Sequence, residues 1–250
     1  MLNSSKSLRV VFDKEHNAYE NMGIDEALLY LSPQPTLRLY FWNPPAVSIG
    51  YFQSMREEVD VEKARKMGVD LVRRITGGGA VYHKYEITYS FVAPKEMFPG
   101  SILSSYRKIC YPLVLTLRKL GLNAEIGGVN DVVVNGRKIS GSAQTRKKGR
   151  ILQHGTLLID VDVDEMFQLL LVPSEKLKDK IVRDVKKRVT SLKHQGVEVD
   201  REELAKIMAE SFSEFFEMEI EESRLTNEEM ELAEKLRVDK YERDEWNFRR

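Results

Sequence analysis

The chain has 250 residues, 42% hydrophobic and 31% charged, enough for a core in one large α/β domain or two small ones. Lys plus Arg and Asp plus Glu stand at 39 each, so no bulk field draws the chain to nucleic acid or to an anionic membrane. The single cysteine, Cys110, excludes an internal disulfide framework and a cysteine-based zinc site. The four histidines (His16, His83, His154, His194) show no i, i+4 metal spacing. With no apolar leader in MLNSSKSLRVVFD and no stretch of membrane-spanning length, a cytoplasmic chain is expected.

Residues 17–31 predict an amphipathic helix, with Ala18, Met22, Ala27, Leu28 and Leu31 on one face. Residues 36–42 alternate as a strand does, Asn43-Pro44-Pro45 turns the chain, and residues 46–52 predict a second strand. Asp60 is placed to cap a short helix ending at Gly68. Residues 69–74 predict a strand delivering a glycine run, and 85–93 a further strand. Residues 101–120 predict a helix that Pro112 should kink or shift. Residues 130–143 form the clearest hairpin, since Asn135-Gly136 supplies the two positive-φ positions of a type I′ turn. Residues 150–162 predict one more long strand, and from about residue 164 the chain turns mostly helical. Asp200…Glu203 and Thr226…Glu229 have capping-box spacing. Strands first and helices later predict an α+β fold, a mixed and largely antiparallel sheet flanked by helices. No Pro/Gly/Ser-rich boundary divides residues 1–250 into separate domains.

Four stretches are candidates for chemistry. Gly77-Gly78-Gly79 follows Arg73-Arg74 and precedes Ala80-Val81-Tyr82-His83, and three glycines together are entropically costly. Either this is a loose turn beside a surface charge pair, or its amides and arginines meet an anion. It is neither a Walker A loop nor a Gly-x-Gly-x-x-Gly fingerprint, although a nucleotide could lie along its amides and Arg74. Lys138 reads either as a solvated edge lysine or, beside small Ser140, Gly141, Ser142 and Ala143, as a cation neutralising charge on an acyl or phosphoryl oxygen. Asn130-Asp131 is either a turn pair or a site where Asp131 holds Mg²⁺. His154-Gly155-Thr156 carries either a satisfied core histidine or a reacting one. Cys110, among Ile109, Leu113 and Leu117, reads as buried and inert.

Taken in order, these stretches resemble the lipoate–protein ligase A family, within the biotin/lipoate ligase and octanoyltransferase superfamily. The resemblance covers nearly the whole chain and also rests on Trp42-Asn-Pro-Pro-Ala-Val-Ser-Ile-Gly-Tyr-Phe-Gln53, Lys187-Arg-Val-Thr-Ser-Leu192 and Tyr241…Trp246-Asn247. It implies a biotin/lipoate ligase-like catalytic domain that uses ATP and Mg²⁺ to convert lipoate to lipoyl-AMP. The lipoyl group then passes to a lysine of an acceptor lipoyl domain, in a 2-oxoacid dehydrogenase E2 or a glycine cleavage H protein. By position, Arg74, Gly78, Gly79, Ala80, Val81, Tyr82, Asn130, Asp131 and Lys138 line the nucleotide, and Asp131 places the metal. Arg73, Gly77, His83, Lys138, His154 and Gly155 fall to lipoate, with Lys138 catalytic. Bacterial ligases of the family commonly carry a further C-terminal domain, and this chain ends soon after Trp246, so a separate accessory polypeptide is expected. Octanoyltransferases of the superfamily use a thiol nucleophile and no ATP. Cys110 fits neither of their two thiol positions, one of which is Gly127-Gly128-Val129 here, so the resemblance favours the ligase. The rivals are a transferase working through Cys110 and a non-catalytic lipoyl-binding subunit.

Overall fold

The computed structural model describes residues 7–172 and 177–250; part of the N-terminal stretch read as lacking a leader lies outside them. The elements, in chain order, are β1 (Ser7–His16), α1 (Ala18–Leu31), β2 (Thr36–Trp42), β3 (Ala46–Ile49), α2 (Met55–Glu58), α3 (Val61–Lys66), β4 (Asp70–Arg73), β5 (Val81–His83), β6 (Glu86–Pro94) and α4 (Ile102–Lys119). There follow β7 (Ala124–Gly127), β8 (Asp131–Val134), β9 (Arg137–Lys147), β10 (Arg150–Leu158), α5 (Val163–Leu169), α6 (Lys178–Arg188), α7 (Arg201–Phe216), β11 (Glu219–Glu222), α8 (Asn227–Leu236) and α9 (Asp244–Asn247).

Eight strands form one sheet in the order β11-β1-β2-β6-β10-β9-β8-β7. Only the β11-β1-β2 end is parallel; every pairing from β2 onward is antiparallel. The mixed, largely antiparallel α+β architecture is therefore the observed one. Adjacent residues of a strand face opposite sides, so Phe91 and Ile151 pack under α4 and α7 while Val92 and Leu152 pack under α1. A second, three-stranded sheet (β4-β3-β5) lies apart from the first and carries the glycine run between β4 and β5.

Local chemistry sets most boundaries. Asp60, Ser101, Asp200 and Thr226 cap α3, α4, α7 and α8 through bonds from backbone amides, and Thr226 completes a capping box with Glu229. Asn135 and Gly136 have φ of 51° and 73°, as the tight turn between β8 and β9 requires. Helix α4 continues through Pro112 rather than starting after it.

Three expectations need correction. Helix α1 is buried on more than one face: Asn21, Asp25 and Glu26 are enclosed, and Leu31 is the exposed one. Distant partners make this burial affordable, because Arg38 bonds Asp25, Asn21 and Asp13 while Tyr241 and Lys240 bond Glu26. The strand expected over 46–52 stops at Ile49, where Gly50 opens a turn. The strand expected over 150–162 stops at Leu158, beyond which the backbone pairs with Leu192 and Lys193. Among the described residues, no helix is long and apolar enough to cross a membrane.

Candidate active site

A cleft of about 300 Å³ opens between the small sheet, the glycine run and strands β6, β9 and β10. Met22, Trp42, Tyr82, Leu158, Val161 and Met166 give it an apolar stretch suited to an alkyl chain. Polar groups converge on it from the glycine run, from β9 and from two histidines.

Lys138 stands on β9, where the β8–β9 register slips by one residue between Val132 and Val133. Its ammonium folds over Gly141, where a Cβ would lie 2.7 Å from Nζ, so only glycine leaves the lysine this path. Asp131, opposite Gly141 in the ladder, reaches Nζ at 2.7 Å, a close charge contact rather than an aligned hydrogen bond. Lys138 remains half-exposed, and its carbonyl is held by the amide of Thr190 at 2.8 Å. Asn130 also lines the cleft, but its side-chain amide is spent on the Ser142 carbonyl.

Arg73 ends β4 and Arg74 follows it; their side chains have separate partners, and neither guanidinium is free. Arg74 donates five hydrogen bonds: to Gly77 O and Gly79 O (both 2.7 Å), Ser48 O, Ser48 Oγ and Thr76 Oγ1 (all 3.1 Å). It shapes the glycine run from behind, and burial without a carboxylate partner lowers its pKa to about 10. Among the described residues, the amides of Gly77, Gly78 and Gly79 find no acceptor. Gly78, at φ 93°, needs glycine for its backbone, and Gly50 needs it because a Cβ would lie 2.0 Å from Gly78 O. At Gly79 a Cβ would meet nothing within 4 Å, so that glycine leaves space to the cleft and not to the protein.

Arg73 is fully buried away from the cleft and, like Gly77, does not line it. It donates to the carbonyls of Gly50, Tyr51, Gln53, Trp246 and Asn247, tying the C-terminal segment to the turn after β3. Gly79, Ala80, Val81, Tyr82, His83, His154 and Gly155 do line the cleft.

Both histidines sit inside relays that the sequence reading missed. His83 meets Glu86 Oε1 through Nδ1 at 2.6 Å and Ser48 Oγ through Nε2 at 2.8 Å, and its ring stacks on Trp42 at 3.9 Å. Burial pulls the His83 pKa below its ordinary value, against the opposing charge of Glu86. His154 meets Asp25 through Nδ1 at 2.9 Å and Thr76 Oγ1 through Nε2 at 2.7 Å. Burial works to raise the Asp25 pKa, but the bond with His154 and the charge of Arg38 outweigh it and lower that carboxyl. Ser48 lies within the stretch Trp42–Gln53, and Glu86 stands three residues beyond His83; nothing local in the sequence marks either.

Cys110 is fully buried and outside the cleft lining, with Sγ near Gln153 Nε2 (3.4 Å) and Ser142 Oγ (3.6 Å). Burial pushes its thiol pKa up, opposite to what a reacting thiolate needs.

The model of the lipoyl protein ligase A/B catalytic domain matches residues 17–213. This chain belongs to that family. Octanoyltransferase LipM of Kyrpidia tusciae is 40% identical, with 97% of this chain and 98% of the relative covered. LipM of Bacillus subtilis is 35% identical over 92% of this chain and 94% of its own length. Among solved structures, the bi-partite lipoate protein ligase of Thermoplasma acidophilum, from a lipoylation system with an E2 lipoyl domain, superposes at TM-score 0.90. It shares 35% identity, with 97% of this chain and 96% of that chain covered. A lipoate-protein ligase A bound with ATP superposes at 0.85 with 32% identity, covering 97% and 98% of the two chains.

The relatives named octanoyltransferase correct the sequence reading of the family member as an ATP-dependent, lipoyl-AMP-forming ligase with ATP and Mg²⁺ as cofactors. Among the described residues no three His, Cys, Asp or Glu side chains are grouped to hold an ion. Asp131 itself is paired with Lys138.

Proposed function

We propose that the chain, acting as one catalytic domain, is an acyltransferase of protein lipoylation. It moves an octanoyl-class chain from a carrier thioester to the ε-amine of a lysine in a lipoyl domain, such as that of a 2-oxoacid dehydrogenase E2 or a glycine cleavage H protein. The carrying observation is a cleft whose apolar walls end at polar donors: the Lys138 ammonium and the amides of Gly78 and Gly79, which find no acceptor among the described residues. Acyl transfer builds negative charge on the carbonyl oxygen, and preorganised donors stabilise that charge. The bi-partite build named for the Thermoplasma protein supports a separate accessory polypeptide here as well. Adding such a subunit should raise the transfer rate.

The test is incubation with an octanoyl carrier-protein thioester and a lipoyl domain, without nucleotide, followed by intact mass of the domain. Acylation of its lysine is the expected result. Modification only when ATP and a free fatty acid or lipoate replace the thioester would overturn the reading.

A further inference from the structure

A transferase whose single thiol lies outside the cleft has two routes: the acceptor amine attacks the thioester directly, or another side chain carries the acyl group between donor and acceptor. The cleft contains a candidate carrier. Ser48 Oγ lies 2.8 Å from His83 Nε2, and His83 Nδ1 lies 2.6 Å from Glu86 Oε1. Ser48, His83 and Glu86 all line the cleft.

The bonding pattern fixes the protonation that nucleophilic catalysis needs. With a carboxylate at Nδ1, that nitrogen carries the ring proton and donates it to Glu86. Nε2 is then an acceptor, and the only hydrogen on Ser48 Oγ is aimed at it. Arg74 donates to the same Oγ at 3.1 Å, so a permanent cation stands where alkoxide charge develops. The ring cannot swing away: Trp42 stacks on it at an interplanar angle of 16°, and the Trp42 indole is itself tied to Thr88 at 2.8 Å. Glu86 is fixed in turn by the Lys84 amide at 3.0 Å, and among the described ion pairs it faces only His83.

The second relay, Thr76–His154–Asp25, has similar distances and fails on two counts. Thr76 does not line the cleft. Asp25 already answers to Arg38 at 2.9 Å and to the Tyr40 hydroxyl at 3.0 Å, so its charge is shared rather than reserved for the imidazole.

We propose that Ser48 is the nucleophile of the transfer, with His83 as its general base and Glu86 as the positioning residue. The inference rests on the transferase reading above. In the first half, Ser48 Oγ bonds to the thioester carbonyl carbon and its proton passes to His83 Nε2. The C–S bond then breaks, and His83 returns the proton to the leaving sulfur, giving a free thiol and an octanoyl ester on Ser48. In the second half, the neutral ε-amine of the acceptor lysine attacks the ester carbonyl and yields a proton to His83. The C–O bond breaks and that proton restores the Ser48 hydroxyl. The sum is thioester plus amine giving amide plus thiol, with no oxidant, metal or nucleotide.

The experiment incubates the full chain with octanoyl carrier-protein thioester and no acceptor, then reads intact mass and maps the adduct by peptide mass spectrometry. One octanoyl group on Ser48 is expected, stable to neutral hydroxylamine as an oxygen ester is. Ser48→Cys should carry a hydroxylamine-labile adduct at the same position, and Cys110→Ser should label like the parent. Ser48→Ala should lose the adduct and at least about 10³-fold in transfer rate while still folding cooperatively, at a melting temperature lowered by the two lost buried bonds. Glu86→Gln should slow transfer by about 10²–10⁴-fold. It should also move the acid limb of the pH–rate profile downward, because the carboxylate that raises the imidazole pKa is gone. Wild-type transfer that survives in Ser48→Ala, or an adduct on Cys110, overturns the serine assignment and leaves the transferase reading standing. Failure of the wild type to use any thioester donor overturns both.

Discussion

Replacing Gly50 by alanine puts one methyl group against the backbone of the glycine run. An ideal Cβ at residue 50 lies 2.0 Å from Gly78 O, about 1.4 Å inside the 3.4 Å at which ordinary contact begins, and 3.1 Å from Gly77 C. Backbone cannot rotate away as a side-chain tip can, so the run must move by more than an ångström or the turn after β3 must open. Either movement strains the Arg74 bonds to Gly77 O and Gly79 O, both 2.7 Å, and the Tyr51 amide bond to Thr76 O at 2.8 Å. Losing one charge-assisted bond and one neutral bond costs about 2–4 kcal/mol. A displacement of this size at the reacting centre costs about 10²-fold in rate beyond the stability loss. Urea denaturation and steady-state acyl transfer measure the two effects. Gly79→Ala is the control for stability: its Cβ meets nothing within 4 Å, so the fold should hold or gain about 0.4–1 kcal/mol. A Gly50→Ala protein as stable and as active as the parent would refute the claim that turn and glycine run are in hard contact.

Lys138→Ala should lower the transfer rate by about 10²–10³-fold with an unchanged melting temperature, because the ammonium is half-exposed and carries no core packing. Arg73→Met should destabilise the fold by at least about 2 kcal/mol and make residues 246–250 sensitive to limited proteolysis, since several carbonyls lose their shared donor. The pH–rate profile should follow His83: the base works when neutral and burial lowers its pKa, so the rate should hold below the ordinary imidazole value of about 6.5 before falling with acid. A limb above that value would point to a different base.

Elements set by neighbours in sequence were legible: the Asn135-Gly136 turn, the caps Asp60, Asp200 and Thr226, and the strand at residues 36–42. Strand β1 was not, because its ladder partners lie near residues 36 and 219 and its polar end, Lys14-Glu15-His16, breaks the alternation. The face read for α1 was incomplete for a similar reason: Ala18, Met22, Ala27 and Leu28 are buried as read, but Asp25 and Glu26 are buried too, by groups on β2 and near residue 240 that no helical periodicity reveals. At the site, residue type alone does not say which side chains line the cleft: Arg74 does and Arg73 does not. Arg73 and Arg74 look alike in sequence, yet one bonds the C-terminal segment and the other the glycine run. The family was legible from its ordered motifs. Its branch was not: the missing thiol points to ATP use, whereas the relatives matched by sequence are named octanoyltransferases and those matched by structure lipoate ligases.

The Arg73 clamp also orders events in time. Its bonds to Trp246 and Asn247 join residues 173 and 174 positions apart, so a ribosome must pass Asn247 before Arg73 finds those acceptors. Until then a buried guanidinium and the Arg73 amide, which bonds Asn247 Oδ1, await their partners. The turn that backs the glycine run is thus completed only once residues 246 and 247 have been made, and the cleft it supports is finished only then.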